Sequence, residues 1–251
     1  MQYSASVVGL GNIGFLFDMD QKRQGIWSHV SAYLKCERTI LTSVVEPDQS
    51  KAALFKKYHP EIQLYHDVSA MLDKECVDIV SVCTPTETHR EVFGEIVEHP
   101  VRAVFCEKPL SYDSSEAVGM VRLAEQKGVV VAVNHTRRWE GSWRHAAQLV
   151  RAGAVGNVVC GQALYSGQVF NIGTHLFDAL RMIVPSDDMR VCASRAWNMQ
   201  SDDPFVSGMA VFSDSTFSIQ STGRKADLLF EVDIIGTEGR LHILENGAIL
   251  K

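Results

Sequence analysis

Three groups of residues in this sequence have types and spacings that could do chemistry. A Gly-x-Gly-x-x-Gly pattern, Gly9–Gly14, comes directly after a short apolar run near the start of the chain. The second group is Glu107-Lys108-Pro109, which follows another apolar run and contains Lys108. The third is His175, in the second half of the chain. A glycine-rich turn can hold phosphates, a lysine can stabilise negative charge on oxygen, and a histidine can exchange a proton near neutral pH. The first two groups indicate a nicotinamide dinucleotide with an ammonium group beside its reactive ring.

The glycine pattern predicts a cradle for a pyrophosphate. The first glycine permits a tight turn, the second lets the main chain approach the phosphates, and the third lets helix and strand pack closely. The N-terminus of the helix that follows would offer free N–H groups and a positive dipole. The alternative interpretation is a glycine turn that holds no ligand. The predicted cradle consists of Gly9, Leu10, Gly11, Asn12, Ile13 and Gly14.

An acidic residue after the second strand is the usual partner of such a cradle, because it accepts hydrogen bonds from the adenine ribose. Glu46 fits this role, although it lies farther along than usual because residues 15–28 have the character of an insertion. Its charge would repel a 2′-phosphate, and no arginine directly follows it. We therefore expect NAD rather than NADP, the alternative being that Glu46 is an ordinary surface carboxylate.

The elements that must position these residues alternate in the first half of the chain. Continuous apolar runs separated by helical segments predict a parallel sheet covered on both faces. The predicted strands are 5–9, 40–45, 79–83, 103–106 and 129–133. The predicted helices are 27–35, 48–58, 68–72, 89–98 and 114–127.

The second half has a different rhythm. Consecutive strands joined by short turns predict an antiparallel sheet. Helices are expected at 142–152 and 174–183, and strands at 158–165, 190–198, 206–212, 216–221 and 228–235. The fold class is therefore α/β, with an NAD-binding Rossmann domain at residues 1–134 and an α+β substrate and oligomerisation domain at 135–251.

Composition narrows the function classes. With 251 residues, 46% hydrophobic and 22% charged, the chain is expected to be soluble and globular. The net charge of −6 and the lack of Lys/Arg runs argue against nucleic acid as a partner. No apolar run is long enough for a membrane helix, and no signal peptide is expected. The six cysteines are scattered without a CxxC pair, so we expect a cytoplasmic protein without disulfides or a metal site.

These motifs together resemble one known family. The chain is similar to the glucose–fructose oxidoreductase / inositol dehydrogenase family, called Gfo/Idh/MocA, over nearly its whole length. The resemblance implies a Rossmann domain followed by a domain with an open, mostly antiparallel sheet. It also implies an oxidoreductase that acts on a hydroxyl or carbonyl carbon of a sugar, cyclitol or sugar nucleotide. The matching residues are Gly9–Gly14, Glu46, Thr84, Pro85, His89, Glu107, Lys108, Pro109 and the segment 171–178.

The resemblance also implies roles for individual residues. Lys108 would hold the substrate oxygen, His175 would be the general base, and Asn171 would orient them. Asp178, three residues after His175 on a helix, could fix the imidazole tautomer. The loop after the third long strand would lie beside the nicotinamide ribose and carboxamide. The cofactor-binding residues expected outside the cradle are Glu46, Thr84, Pro85, Thr86, His89, Glu107 and Lys108.

Each catalytic assignment has a plainer alternative. Asn171 could be only a helix N-cap, and His175 and Lys108 could be surface residues. Arg137 or Arg138 could meet an anionic substrate group, but core packing or domain hinging is an equally good interpretation. His29, inside the early insertion, could overhang the cofactor.

The sequence departs from the family pattern in two places. Asn171 stands where an aspartate is common, and asparagine cannot exchange a proton. Family members are usually longer, so a C-terminal domain shortened in its closing strands is expected. A non-catalytic dinucleotide-binding regulator and a reductase of a non-sugar substrate therefore remain alternatives. An open sheet with an uncovered face further predicts a homodimer or homotetramer.

Overall fold

The computed structural model of the protein describes residues 2–23, 25–186, 188–223 and 229–251. The chain divides into two compact units, Met1–Asn134 and His135–Lys251. The roles predicted for these units, dinucleotide binding and substrate binding, stay predictions.

The first unit is built on a six-stranded parallel sheet in the order β3-β2-β1-β4-β5-β6. This is the strand order of a doubly wound dinucleotide-binding fold, which confirms the predicted Rossmann architecture. The strands are β1 (Tyr3–Val8), β2 (Thr39–Val45), β3 (Gln63–Tyr65), β4 (Ile79–Val82), β5 (Ala103–Cys106) and β6 (Val130–Val133).

Helices cover both faces of this sheet, and two separate apolar clusters pack beneath them. They are α1 (His29–Lys35), α2 (Gln49–Tyr58), α3 (Val68–Leu72), α4 (Thr86–Val97) and α5 (Ser114–Lys127), with a 3₁₀ helix at Leu16–Met19. Local sequence sets where several of them begin. The carboxylates of Asp48, Asp67 and Asp113 each accept main-chain N–H groups in the first turn of α2, α3 and α5.

The second unit contains a seven-stranded, mostly antiparallel sheet in the order β13-β12-β11-β7-β10-β9-β8. Only the pairing of β7 with β10 is parallel among the strand pairs described. The strands are β7 (Val158–Tyr165), β8 (Met189–Trp197), β9 (Phe205–Phe212), β10 (Thr216–Ser221), β11 (Phe230–Gly236), β12 (Arg240–Leu244) and β13 (Ile249–Leu250). This sheet confirms the predicted fold class of the second half.

Two α-helices, α6 (Gly141–Arg151) and α7 (Thr174–Ile183), pack on one face of that sheet around a single apolar core. Shorter helical segments are a 3₁₀ turn at Thr136–Arg138, a π-helix at Val169–Gly173 and a 3₁₀ turn at Glu245–Gly247. The predicted strand 228–235 begins instead at Phe230, and Leu228 lies outside the described residues. Among the described residues, none of the helices has the length and apolar character of a membrane span.

Candidate dinucleotide site and catalytic residues

The glycine turn at the carboxyl end of β1 has no room for side chains at two of its three glycines. Gly9 adopts φ +93°, and a Cβ there would lie 2.9 Å from the carbonyl group of Cys83. A Cβ at Gly14 would lie 2.0 Å from the carbonyl oxygen of Gly9. A Cβ at Gly11 would have no protein atom within 4 Å. The turn is therefore closed on the protein side and open at its middle glycine, as close approach of a ligand requires.

The donors that this turn can offer are its own main-chain N–H groups. Within the described part of the chain, no acceptor is bonded to the N–H groups of residues 11–14. The first N–H groups of α1 are already used, because His29 and Val30 donate to the carbonyls of Ile13 and Gly14 at 3.0 and 3.1 Å. The structure thus corrects the expectation that the N-terminus of the following helix holds the phosphates. The consecutive N–H groups of the turn are the donors that remain available to an anion.

Glu46, the residue directly after β2, lies against this turn and is 4% exposed. Its Oε2 accepts the N–H of Leu10 at 2.8 Å, and its Oε1 accepts the N–H of Asp48 at 2.9 Å. The carboxylate is therefore not an ordinary surface group. Each oxygen keeps a further lone pair, so a bond from a ribose hydroxyl stays a prediction.

The loop that follows β4 supplies a further polar atom beside the turn. The N–H of Thr84 lies 3.0 Å from where a Cβ on Gly9 would be. The Thr84 hydroxyl is buried and has no hydrogen-bond partner among the described residues. A buried polar atom without a partner is costly unless a ligand supplies one. Thr84 and the open N–H groups of the turn therefore both fit a dinucleotide. The other predicted residues of this loop are Pro85, the N-cap of α4, and Thr86, its first residue.

His89 connects the loop after β4 to the loop after β5. It is 1% exposed, its Nε2 faces the carbonyl oxygen of Thr84 at 3.0 Å, and its Nδ1 faces that of Pro109 at 3.1 Å. With both ring nitrogens directed at main-chain oxygens, His89 presents no donor to a ligand. This position makes His89 a tether between the loops after β4 and β5, and its contact with the cofactor stays a prediction.

Glu107 is also turned inward. It is 8% exposed, and its Oε1 accepts from His29 Nε2 at 2.8 Å and from Asn134 Nδ2 at 2.7 Å. Burial raises the pKa of Glu107, but these hydrogen bonds and one from the N–H of Lys108 outweigh it, so the net pKa lies below the usual range. The oxygens of Glu107 thus accept hydrogen bonds within the protein, and its expected contact with the cofactor stays a prediction.

Lys108 follows Glu107 on the loop after β5 and is half-buried. Its main-chain N–H donates to Glu107 Oε2 at 3.3 Å, and the peptide that joins it to Pro109 is cis. In a parallel sheet, the loops at the carboxyl ends of the strands surround the bound ligand. The structure therefore brings Lys108 to the same edge of the first sheet as the glycine turn and Thr84.

His175 lies in the first turn of α7, in the second unit, and is 8% exposed. An apolar stripe on the same helix, formed by Leu176, Leu180 and Ile183, is fully buried in the core. On the flank of this stripe, the His175 ring meets the edge of the His135 ring, with centroids 5.5 Å apart. The second unit thus fixes His175 through its helix and an aromatic neighbour.

Asn171 is not a helix N-cap. The N-cap of α7 is Gly173, and Asn171 lies in the preceding π-helix. Asp203, in the loop before β9, anchors that segment by accepting the N–H of Phe170 at 2.7 Å and that of Asn171 at 3.0 Å. Sequence reasoning missed Asp203, because nothing in local spacing links a residue of one loop to a turn 32 residues earlier.

Asp178 is bonded to Arg138, and its pairing with His175 stays a prediction. Both oxygens of Asp178 accept from Arg138 Nε, at 2.8 and 2.9 Å. Arg137 points elsewhere, with its guanidinium 3.8 Å from the centre of the Phe230 ring and bonded to Asn246 at 2.6 Å. Burial lowers the pKa of Arg137 to about 10. Both arginines therefore make contacts within the second unit, and a substrate contact of either stays a prediction.

Comparison with known proteins shows the family of the chain. Residues 4–135 match the profile of the Gfo/Idh/MocA family, described as an oxidoreductase family with an NAD-binding Rossmann fold. The chain belongs to the Gfo/Idh/MocA family. The matched segment contains the glycine turn, Glu46, Thr84, His89 and Lys108.

Two relatives are named for dehydrogenation of a sugar or a cyclitol. The chain is 24% identical over 173 residues to D-apiose dehydrogenase of Paraburkholderia graminis, covering 62% of this chain and 46% of that protein. It is 22% identical over 147 residues to the NADP(+)-dependent scyllo-inositol 2-dehydrogenase IolW of Bacillus subtilis, covering 51% of this chain and 41% of the relative. The chain thus spans about half the length of such relatives or less.

Solved structures of the same fold cover nearly the whole chain. A probable dehydrogenase from Thermotoga maritima superposes with a TM-score of 0.81 at 19% identity, over 95% of this chain and 74% of that one. The WlbA dehydrogenase from Bordetella pertussis, solved with NADH and UDP-GlcNAcA, gives a TM-score of 0.80 at 14% identity, over 97% and 78% of the two chains. At such identities the likeness shows the fold alone.

Proposed function

We propose that this protein is an NAD-dependent oxidoreductase that transfers a hydride between nicotinamide and a hydroxyl or carbonyl carbon of a sugar, cyclitol or sugar nucleotide. The observation that carries the proposal is the glycine turn of the first unit. Its N–H groups at residues 11–14 have no acceptor within the described chain, and Gly11 faces open space. Membership of the Gfo/Idh/MocA family supports the redox class, and the names of the relatives support the substrate class.

The chain's own residues would divide the work as follows. When bound, the dinucleotide accepts or supplies the hydride. The turn would hold its pyrophosphate, and the Thr84 hydroxyl would bond to a polar group near the nicotinamide. Lys108 would stabilise negative charge on the substrate oxygen. His175 would take up or return the hydroxyl proton, and Asn171 would orient the substrate without exchanging a proton. Joint action of Lys108 and His175, which lie in different units, is part of the proposal.

The cofactor preference is a separate proposal. Glu46 places a buried carboxylate at the base of the turn, bonded to the N–H of Leu10. A 2′-phosphate near that carboxylate would meet like charge, so NAD(H) should bind more tightly than NADP(H). Calorimetric titration of the protein with both dinucleotides tests this. Tighter binding of NADP(H), the cofactor form named for the relative IolW, would contradict the role given to Glu46.

The activity is tested by following nicotinamide absorbance while offering a panel of cyclitols, sugars, sugar acids and UDP-sugars. Once a substrate is found, Lys108→Ala and His175→Ala should each lower kcat by about a hundredfold or more. The affinity for NAD should change little, because both variants keep the glycine turn, Glu46 and Thr84. Asn171→Asp should keep or raise activity, since aspartate can exchange a proton.

Two results would redirect the assignment. Full activity of His175→Ala with an unchanged pH profile would mean that another residue is the base. Tight NAD binding with no turnover across the panel would favour the alternative of a non-catalytic dinucleotide-binding regulator on this fold.

A further inference from the structure

A buried chain of hydrogen bonds crosses the first unit beneath the loop that carries Lys108. Tyr33 of α1 bonds through its hydroxyl to Ser81 Oγ at 2.8 Å, and Ser81 Oγ lies 2.9 Å from His29 Nδ1. His29 Nε2 lies 2.8 Å from Glu107 Oε1, which Asn134 also reaches at 2.7 Å. His29, Ser81, Glu107 and Asn134 are all buried.

The direction of these bonds follows from the acceptor. A carboxylate only accepts hydrogen bonds, so His29 Nε2 must carry hydrogen and donate it to Glu107. The Asn134 amide donates to the same oxygen, and the other oxygen accepts the N–H of Lys108 at 3.3 Å. Glu107 is thus held on three sides, and one of the three groups that hold it is the main chain of the lysine itself.

The first residues of α1 fix His29 in this place. Ser28 caps the helix by accepting the N–H of Ser31 at 3.0 Å, and its hydroxyl also bonds to Asp18 of the insertion. The N–H of His29 donates to the carbonyl of Ile13 at 3.0 Å. The main chain of His29 is therefore tied to the glycine turn, while its ring is held between Ser81 and Glu107. These bonds make the ring a rigid support for Glu107.

We propose that His29 is a positioning residue for Lys108, acting through Glu107. The proposal rests on the catalytic role of Lys108 in the proposed function. Without the His29 bond, a buried carboxylate loses a donor, and Glu107 can rotate or shift together with the main chain of the next residue. Displacement of a reacting group by about 1 Å can lower a rate by about a hundredfold.

Two substitutions of His29 separate positioning from mere packing. His29→Gln places an amide nitrogen near the position of Nε2 and keeps a donor for Glu107. His29→Asn reaches only the position of Nδ1, so it keeps the Ser81 bond and loses the bond to Glu107. His99→Gln is the matched control, because His99 lies beyond the C-terminal end of α4, at the opposite edge of the sheet.

The expected result is a difference between the two variants. His29→Asn should lower kcat by about ten- to a hundredfold, with KM and NAD affinity nearly unchanged, whereas His29→Gln should stay within about threefold of wild type. A second readout needs no substrate. It is the rate at which an amine-reactive ester acylates Lys108, measured by mass spectrometry as a ratio to the rate at exposed Lys57. This ratio should change in His29→Asn and stay constant in His29→Gln and His99→Gln.

Equal loss of turnover in both His29 variants, or unchanged Lys108 acylation in His29→Asn, would overturn the proposal. If His29→Asn does not fold, Asn134→Ala removes the other side-chain donor to Glu107. That variant should then show the same shift in Lys108 acylation, and no shift would count as failure. If wild-type protein turns over no substrate in the panel, the proposed function fails, while the acylation ratios still decide the role of His29.

Discussion

At the scale of single residues, the three glycines of the turn are needed for different reasons. Gly14 has no space for a Cβ, because Gly9 O would lie 2.0 Å away. Gly11 has space, since nothing of the protein lies within 4 Å of the same point. Stability and ligand affinity should therefore separate between these two positions.

Gly14→Ala should destabilise the fold by about 1–3 kcal/mol, because the added methyl group overlaps main-chain atoms that must shift. Gly11→Val should leave the melting temperature close to wild type and abolish detectable NAD binding. Thermal unfolding and calorimetry of the two variants measure both quantities. Unchanged NAD affinity in folded Gly11→Val would place the cradle elsewhere.

The Glu107 carboxylate should make stability depend on acid pH. Its pKa is lower in the folded protein than the ordinary value of 4.5, since hydrogen bonds outweigh the effect of burial. Such a group stabilises the fold above its ordinary pKa, and the contribution is lost as pH falls through the folded value. The difference in unfolding free energy between wild type and Glu107→Gln should therefore shrink as pH falls below 4.5. Urea unfolding at several pH values measures it, and a constant difference would contradict the assignment.

At the scale of elements, the π-helix before α7 depends on a residue far along the chain. The Asp203 carboxylate accepts the N–H groups of Phe170 and Asn171. These bonds fix the segment that leads directly into the first turn of α7 and His175. The orientation of Asn171 is thus set by a loop between β8 and β9.

Asp203→Ala should lower the free energy of unfolding by about 1–3 kcal/mol, because two main-chain donors lose a charged acceptor. It should also lower kcat, since Asn171 and His175 lose a support, while NAD affinity stays at the wild-type value. Exposed Asp202→Ala is the control for a nearby change of charge. Urea denaturation and turnover of both variants test this, and equal behaviour of the two would remove Asp203 from the site.

At the scale of the whole molecule, the sheet of the second unit has apolar side chains on its outer face. Side chains alternate between the faces of a strand. Ala210 and Phe217 are buried in the core, so neighbouring Met209 faces outward, where it is 43% exposed. Ile235 of β11, 38% exposed, also faces away from the core, since its neighbour Ile234 is buried. We propose that this outer face joins two copies of the chain.

Met209→Asp should then convert a dimer to a monomer by placing a charge in an apolar interface. Val118→Asp, on an exposed position of α5, is the matched control and should leave the assembly intact. Light scattering over a range of protein concentrations measures the mass. A monomeric wild type would contradict the proposal.

The sequence by itself determined the fold class, the glycine turn and the lysine loop. These features are local: the glycines, the apolar strands and the motif at Glu107–Pro109 carry their meaning in adjacent residues. Elements that are short or weakly patterned were missed, notably β3, which has three residues, and β13, which has two. Such strands are fixed by pairing with a neighbour and not by a periodic pattern of their own.

Only the tertiary structure decided which partners the buried polar side chains bond to. Glu107 and His89 belong to matching motifs, yet their side chains bond inward, to Asn134 and to main-chain carbonyls. Likewise Asp178 bonds to Arg138, which lies 40 residues away in the sequence. Hydrogen-bond partners far apart in sequence are set by how elements pack, because a buried donor or acceptor takes whichever partner the fold brings within reach.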